Sequence, residues 1–91
     1  MRPERSPYLD LRHIPLTALR AFEAAGRHCH IRRAAQELHV SHSALSRHIR
    51  QLEERLGSNL FLREGNGIKL TPAGSRLLAS VQAAFQELNR G

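Results

Sequence analysis

Ninety-one residues, 41% hydrophobic but only 4% aromatic, make one small domain with a compact helical core of modest size. The formal charge of +6, from 14 lysines and arginines against 8 acidic residues, points to a polyanionic partner, although charge alone does not separate DNA from RNA or an acidic membrane. A single cysteine excludes an internal disulfide framework, no run approaches the roughly 18 apolar residues of a membrane span, and the start lacks the apolar core of a signal peptide, so the chain reads as cytoplasmic, with no membrane partner.

Residues 1–14 are rich in Arg and Pro, with Pro3 and Pro7 interrupting regular structure, and read as a flexible basic arm. Arg2, Arg5 and Arg12 are within reach of a phosphate backbone once the rest is docked, although a plain disordered tail is the simpler reading. Pro15-Leu16-Thr17 opens the first helix, with Thr17 expected as its N-cap. Leu19, Phe22 and Ala25, beside Ala18, form its buried stripe to about His28, with Phe22 at the centre of the core. The following "RHCH" invites a zinc hypothesis, because imidazole and thiolate bind that ion. Adjacent ligands do not converge easily on a tetrahedral ion and no second Cys/His pair sits at a suitable spacing, so no metal or cofactor is assigned.

Ile31, Ala34, Ala35 and Leu38 mark a short second helix, and His39-Val40-Ser41 a tight turn into a long third one. The two alanines let the helices cross closely, and Val40 is expected to plug the corner. In the third helix, over 41–56, Ser41 caps the start, and Leu45, Ile49, Leu52 and Leu56 recur at intervals of four, three and four. Ser43, Ser46, Arg47, Arg50 and Glu54 fall on the opposite side, giving a hydroxyl-rich, cationic face that suits the DNA major groove. Any amphipathic surface helix carries charge outside; the short helix and tight turn before this one add the arrangement of a helix-turn-helix. Arg50 is best placed for phosphate, while Glu53 and Glu54 are expected to pair with Arg50 or Arg55 on their own helix.

Gly57 ends that helix, and Leu60 to Leu62 and Ile68 to Leu70 read as two short strands around "REGNG", a hairpin wing. Arg63, Asn66 and Lys69 are its candidates for the adjacent backbone or minor groove; Glu64 weakens the potential at the tip, which favours Arg63. Thr71 caps the last helix and Pro72 occupies its first turn. Leu77, Val81, Ala84 and Leu88 repeat in near-heptad steps, with Leu78 and Phe85 beside them: either a dimerisation face or a stripe packed on its own domain. The fold class is therefore mainly α, a winged helix-turn-helix with a short β-hairpin wing and a long C-terminal linker/dimerisation helix.

"AAQELHVSHSALSRHIRQLEERLGSNLF" followed by "LTPAG" resembles the N-terminal DNA-binding domain of LysR-type transcriptional regulators, and the likeness runs from about Pro15 to the C-terminus. "PLTALRAFEAAGRH", with His42 and Ser43, is further similar to the branch of the β-lactamase and glycine-cleavage regulators. The resemblance implies a DNA-binding domain over 15–70 and a linker helix over 71–91 that pairs two such domains. The sensory effector domain of the family is absent from the chain, which is therefore expected to be an excised domain or a naturally short regulator.

The resemblance also assigns groove-facing positions to His42, Ser43, Ser46 and Arg47, and Arg63 matches the basic residue after L-F-x. Arg47 can pair bidentately with guanine or clamp phosphate, His42 can donate or accept at a base edge, and the two serines are less selective. The family pattern has Ser at the His30 position and Thr or Ser at the Arg32 position; here Arg32 or Arg33 would supply a charge-assisted phosphate contact instead. The implied function is sequence-specific binding of double-stranded DNA as a homodimer on an interrupted inverted repeat, with tetramers in the full-length family. A protein-interaction module using the basic face for an acidic partner is the competing class. The chain is not read as an enzyme, for no activated nucleophile or oriented histidine is apparent, and RNA binding is disfavoured by the scarcity of stacking aromatics.

Overall fold

The computed structural model describes residues 14–90, so Arg2, Arg5 and Arg12 of the expected arm lie outside the described residues. Four helices and one hairpin follow in the order α1 (Leu16–His28), α2 (Ile31–Leu38), α3 (His42–Leu56), β1 (Phe61–Glu64), β2 (Gly67–Leu70) and α4 (Pro72–Arg90). The architecture is a winged helix-turn-helix, as the patterning indicates.

Two adjoining clusters make the core. Ala21, Ala24 and Ala25 of α1 meet Ala34 and Ala35 of α2 and Leu45 and Ile49 of α3, and the alanines let three helices approach closely. Beside them Ile14, Ala18, Phe22, Leu52, Leu60 and Val81 join α1 and α3 to the wing and α4. Phe22 is fully buried, with its ring centroid 5.5 Å from that of Phe61. Burying Phe22, Leu45, Leu52 and Leu60 is worth about 1.5–3 kcal/mol each, which makes these four the main apolar contribution of a small domain.

The helix ends depart from expectation at instructive places. Thr17 does not cap α1: Pro15 does, in an extended conformation at φ −64°, its carbonyl accepting from the amides of Ala18 at 3.0 Å and Leu19 at 3.4 Å. The proline ring holds φ where the chain must enter the helix, and Thr17 lies exposed inside the first turn. In the α1–α2 turn Cys29 adopts the left-handed conformation (φ 54°), and the ring of His30 caps α2, its Nδ1 accepting from the amide of Arg33 at 3.3 Å. Val40 does not plug the α2–α3 corner but is 38% exposed; the left-handed residue His39 turns the chain so that Leu38 packs on the core instead. Ser41 and Thr71 cap α3 and α4 as expected, accepting from the amides of Ala44 and Gly74 at 3.0 Å each.

The hairpin is antiparallel, with Phe61 opposite Leu70, Leu62 opposite Lys69, Arg63 opposite Ile68 and Glu64 opposite Gly67. Gly65 takes the positive φ (60°) that a two-residue loop requires at its first position. Strand β1 starts one residue later than the pattern suggests, with the amide of Leu60 donating to Glu53 Oε2 at 2.8 Å and not across the hairpin. Thr71 locks this corner: its amide donates to Leu60 O at 3.0 Å and its hydroxyl to Asn59 O at 2.7 Å. Gly74 is required here, since a Cβ would collide with the Leu60 carbonyl. Along α4, Val81 is buried and Leu77, Leu78 and Phe85 pack partly against the domain's own core. Ala84 and Leu88 face outward, Leu88 being 71% exposed. Among the described residues no helix is long and apolar enough to cross a membrane.

A network of ion pairs and one hydrogen bond joins three helices. Arg27 of α1 binds Glu23 one turn earlier at 2.8 Å and Glu37 of α2 at 2.7 Å, His28 Nε2 lies 2.7 Å from Glu37, and Gln82 of α4 donates to Glu23 at 3.1 Å. The Arg27 guanidinium, helped by His28, holds the Glu37 carboxyl down at about 2, and Arg27 likewise lowers that of Glu23. A carboxyl depressed on folding stabilises the fold above its unfolded value and loses that contribution as pH falls through the folded one; solvent screening at the 38% exposed Glu37 keeps the effect small. Thermal unfolding followed by circular dichroism is expected to show a melting temperature that declines from pH about 5 to about 2, less steeply in Glu37→Gln. Equal slopes in the two proteins would remove Glu37 from the acid response.

Candidate nucleic-acid interface

The residue pattern of α3 generates its outer surface directly. With Leu45, Ile49 and Leu52 turned into the core, His42, Ser46, Arg50 and Glu53 follow one line along the helix and Ser43 and Arg47 the neighbouring outward row. The first line forms one wall of a groove of about 670 Å³. His30, Ile31 and Arg32 at the start of α2 close one end, and Leu62, Arg63 and Asn66 of the wing form the facing wall. Three arginines, from α2, α3 and β1, thus line one concave surface.

Of the residues expected to meet nucleic acid, Arg32, His42, Ser46, Arg50 and Arg63 line this groove. Ser43 and Arg47 lie exposed beside it at the N-terminal half of α3. Ser41 is engaged locally, its hydroxyl capping α3 and lying 3.4 Å from that of Ser43. Arg33 is exposed on α2 outside the groove lining. Lys69 is separated from the set: paired with Leu62, it occupies the face of the ribbon opposite Arg63 and Ile68, and strand alternation keeps the two basic residues of the wing apart.

Two groove residues escape a reading by pattern. His30 both caps α2 and lines the groove, occupying the place where the resemblance leads one to expect a serine. Glu53 was expected to pair with Arg50 or Arg55, but its Oε2 instead accepts from the amides of Leu60 at 2.8 Å and Phe61 at 3.3 Å. These two donors open the wing, and no partner within the strand pair is available to Leu60; a carboxylate one helix away satisfies both. Glu53 therefore fixes the distance between the two walls while its charge is spent on amides. The side chains of "RHCH" are engaged separately: His28 faces Glu37, Cys29 Sγ faces Gly26 O at 3.4 Å, and His30 Nδ1 caps α2.

Comparison with known proteins places these features in a family. The model of the bacterial regulatory helix-turn-helix protein, lysR family, matches residues 16–75. The chain is 47% identical over 76 residues to the HTH-type transcriptional activator AmpR of Citrobacter freundii, covering 84% of this chain and 26% of that protein. It is 53% identical over 73 residues to the HTH-type transcriptional regulator TrpI of Pseudomonas aeruginosa, covering 80% of this chain and 25% of that one. The chain thus spans about a quarter of the length of the curated relatives it matches, which are named as regulators and not as enzymes. Among solved structures, BenM_DBD in complex with benA site 1 DNA is similar with a TM-score of 0.78 and 30% identity, over 84% of this chain and 88% of that one.

The clamp at Glu53 has a direct test. Glu53→Ala leaves two strand-opening amides without their acceptor and is expected to cost about 1–3 kcal/mol in urea unfolding, with faster hydrogen exchange at Leu60 and Phe61 than at Leu45. Unchanged exchange at both amides would show that the wing is seated by its apolar contacts alone.

Proposed function

The chain belongs to the lysR family of bacterial regulatory helix-turn-helix proteins, and from that premise we propose that it binds a specific sequence of double-stranded DNA as a homodimer in the cytoplasm. The observation that carries this reading is the convergence of Arg32, Arg50 and Arg63 on one groove, directly beside the exposed row of Ser43 and Arg47. Duplex DNA carries about one negative charge per 1.7 Å of axis, and a concave wall with three guanidinium groups matches one of its strands. The similarity to a domain solved with benA site 1 DNA supports the same partner.

In this reading the N-terminal half of α3 enters the major groove. Arg47 and Ser43 meet base edges, Arg47 being suited to guanine O6 and N7, with His42 and Ser46 at the boundary between bases and backbone. Arg32, Arg50 and Arg63 hold phosphates, which gives affinity and register but little sequence information. Two domains joined through α4 read an interrupted inverted repeat whose half-sites lie on one DNA face, about one helical turn or a multiple of it apart. Outward Leu88, with Leu16, Leu38 and Phe85 lining a shallow depression beside it, supplies apolar area for the partner helix. Leu77, Leu78, Val81 and Ala84 back this contact from within α4. In a longer protein such dimers pair into tetramers and control transcription.

Two measurements test this division. Arg47→Ala is expected to cost about 1–3 kcal/mol of operator affinity and relax one base position, whereas Arg50→Ala weakens all duplexes alike and reduces the salt slope by about 1. A uniform loss in Arg47→Ala would move that residue to the backbone. Sedimentation equilibrium of Leu88→Glu is expected to show a weaker dimer with unchanged circular dichroism; an unaltered dimer constant would place the contact elsewhere.

A further inference from the structure

The turn between α1 and α2 reaches the wing as well as the groove. Cys29 closes α1 in the left-handed conformation (φ 54°), which a residue with a side chain keeps only where its surroundings hold it. Its amide donates to Ala25 O at 2.8 Å, and its carbonyl accepts the amide of Ile68 in β2 at 3.3 Å. His30 and Arg32, just beyond this turn, line one end of the groove, and Ile68 is the cross-strand partner of Arg63 on the facing wall. One backbone bond thus ties the α2 end of the groove to the strand pair that carries Arg63.

Gly67 makes this approach possible. Its φ is not positive, so the turn does not demand a glycine here. A Cβ at this position would instead lie 2.8 Å from Cys29 O, closer than the two atoms can pack. Glycine within a strand often marks a place where another backbone comes near. Gly65, two residues earlier, has open space around it and serves the turn alone. Next to Gly67, the side chain of Ile68 packs on the core shared by α1, α2 and α3, so β2 is drawn toward Cys29 by side chain and backbone together.

We infer that Gly67 is a positioning residue for DNA binding: its missing side chain lets β2 close on the Cys29 carbonyl, and this seat holds Arg63 where it meets a phosphate. The inference rests on the DNA-binding reading above and gives Gly67 a role that acts through Arg63. A methyl group at position 67 pushes β2 off Cys29 O, and the paired strand carries Arg63 with it. The base contacts of α3 are untouched, so affinity falls while base preference stays.

The test measures dissociation constants for the duplex that this domain enriches from a random pool, and for a base-scrambled version of it, across a salt series. Arg63→Ala and Gly67→Ala are each expected to weaken both duplexes by about tenfold per bound domain and to reduce the salt slope by about 1, with the ratio between the duplexes unchanged. The double variant is expected to be no weaker than either single one, because both remove the same contact. Amide exchange at Ile68 is expected to quicken in Gly67→Ala while that at Leu45 holds. An ester in place of the Ile68 amide removes the donor without adding a methyl group and is expected to give the same loss, which keeps the test open if Gly67→Ala does not fold. Full affinity in Gly67→Ala or in the ester, an unchanged salt slope, or losses that add in the double variant would each overturn the inference. If Arg63→Ala binds like the parent and the enriched duplex is still preferred, the inference fails and the DNA-binding reading stands. If the parent binds the two duplexes alike at every salt concentration, that reading fails and the inference with it.

Discussion

The carboxylate of Glu53 is the contact on which the functional surface depends. It reaches from α3 to the amides of Leu60 and Phe61 and so sets the wing against the recognition helix at a fixed separation. From the same corner Leu60 O receives the amide of Thr71, and the Thr71 hydroxyl bonds Asn59 O while capping α4. One chain of hydrogen bonds thus joins α3, the wing and α4. Phe22 and Leu60 are fully buried in the adjoining core, and the Glu53 bonds to Leu60 and Phe61 are partly shielded from solvent, which makes them harder to exchange for water.

The same economy governs the charges. Among the described residues, Glu23 and Glu37 are taken up by Arg27, His28 and Gln82, and Glu53 by two backbone amides. Arg32, Arg50 and Arg63 are left without an acidic partner among the described residues. The net charge of +6 becomes a binding surface where Arg32, Arg50 and Arg63 line one groove and the carboxylate there, Glu53, is engaged by backbone amides. The concentration of cations is a consequence of packing: α2, α3 and β1 each bring one arginine because their apolar sides meet in the same core.

Much of this was legible in the residues. The steps of four, three and four from Leu45 to Leu56 define α3 and its outer face, and Ser41 and Thr71 mark helix starts through a local hydroxyl–amide bond that neighbouring residues suffice to specify. Features set by tertiary contacts were not legible. The spacing rule pairs Glu53 with Arg50 or Arg55, but two amides seven and eight residues away compete successfully for it. His30 is not among the usual capping residues, and its role follows from the left-handed turn at Cys29. The four-residue spacing of Glu23 and Arg27 carried a visible signal; the addition of Glu37 and Gln82 required knowing how α2 and α4 cross α1. The sequence favours Arg63 over Lys69, but that the two lie on opposite faces of the ribbon follows only from the strand register.

The central claim is that the groove and the adjacent row of α3 read a specific duplex in pairs. Selection of bound duplexes from a random DNA pool at physiological salt, followed by sequencing, tests it most directly. Enrichment of a symmetric site with two half-sites on one face of the helix is expected. Binding that fades as salt rises, with no sequence enriched, would contradict it and leave only electrostatic attachment to a polyanion.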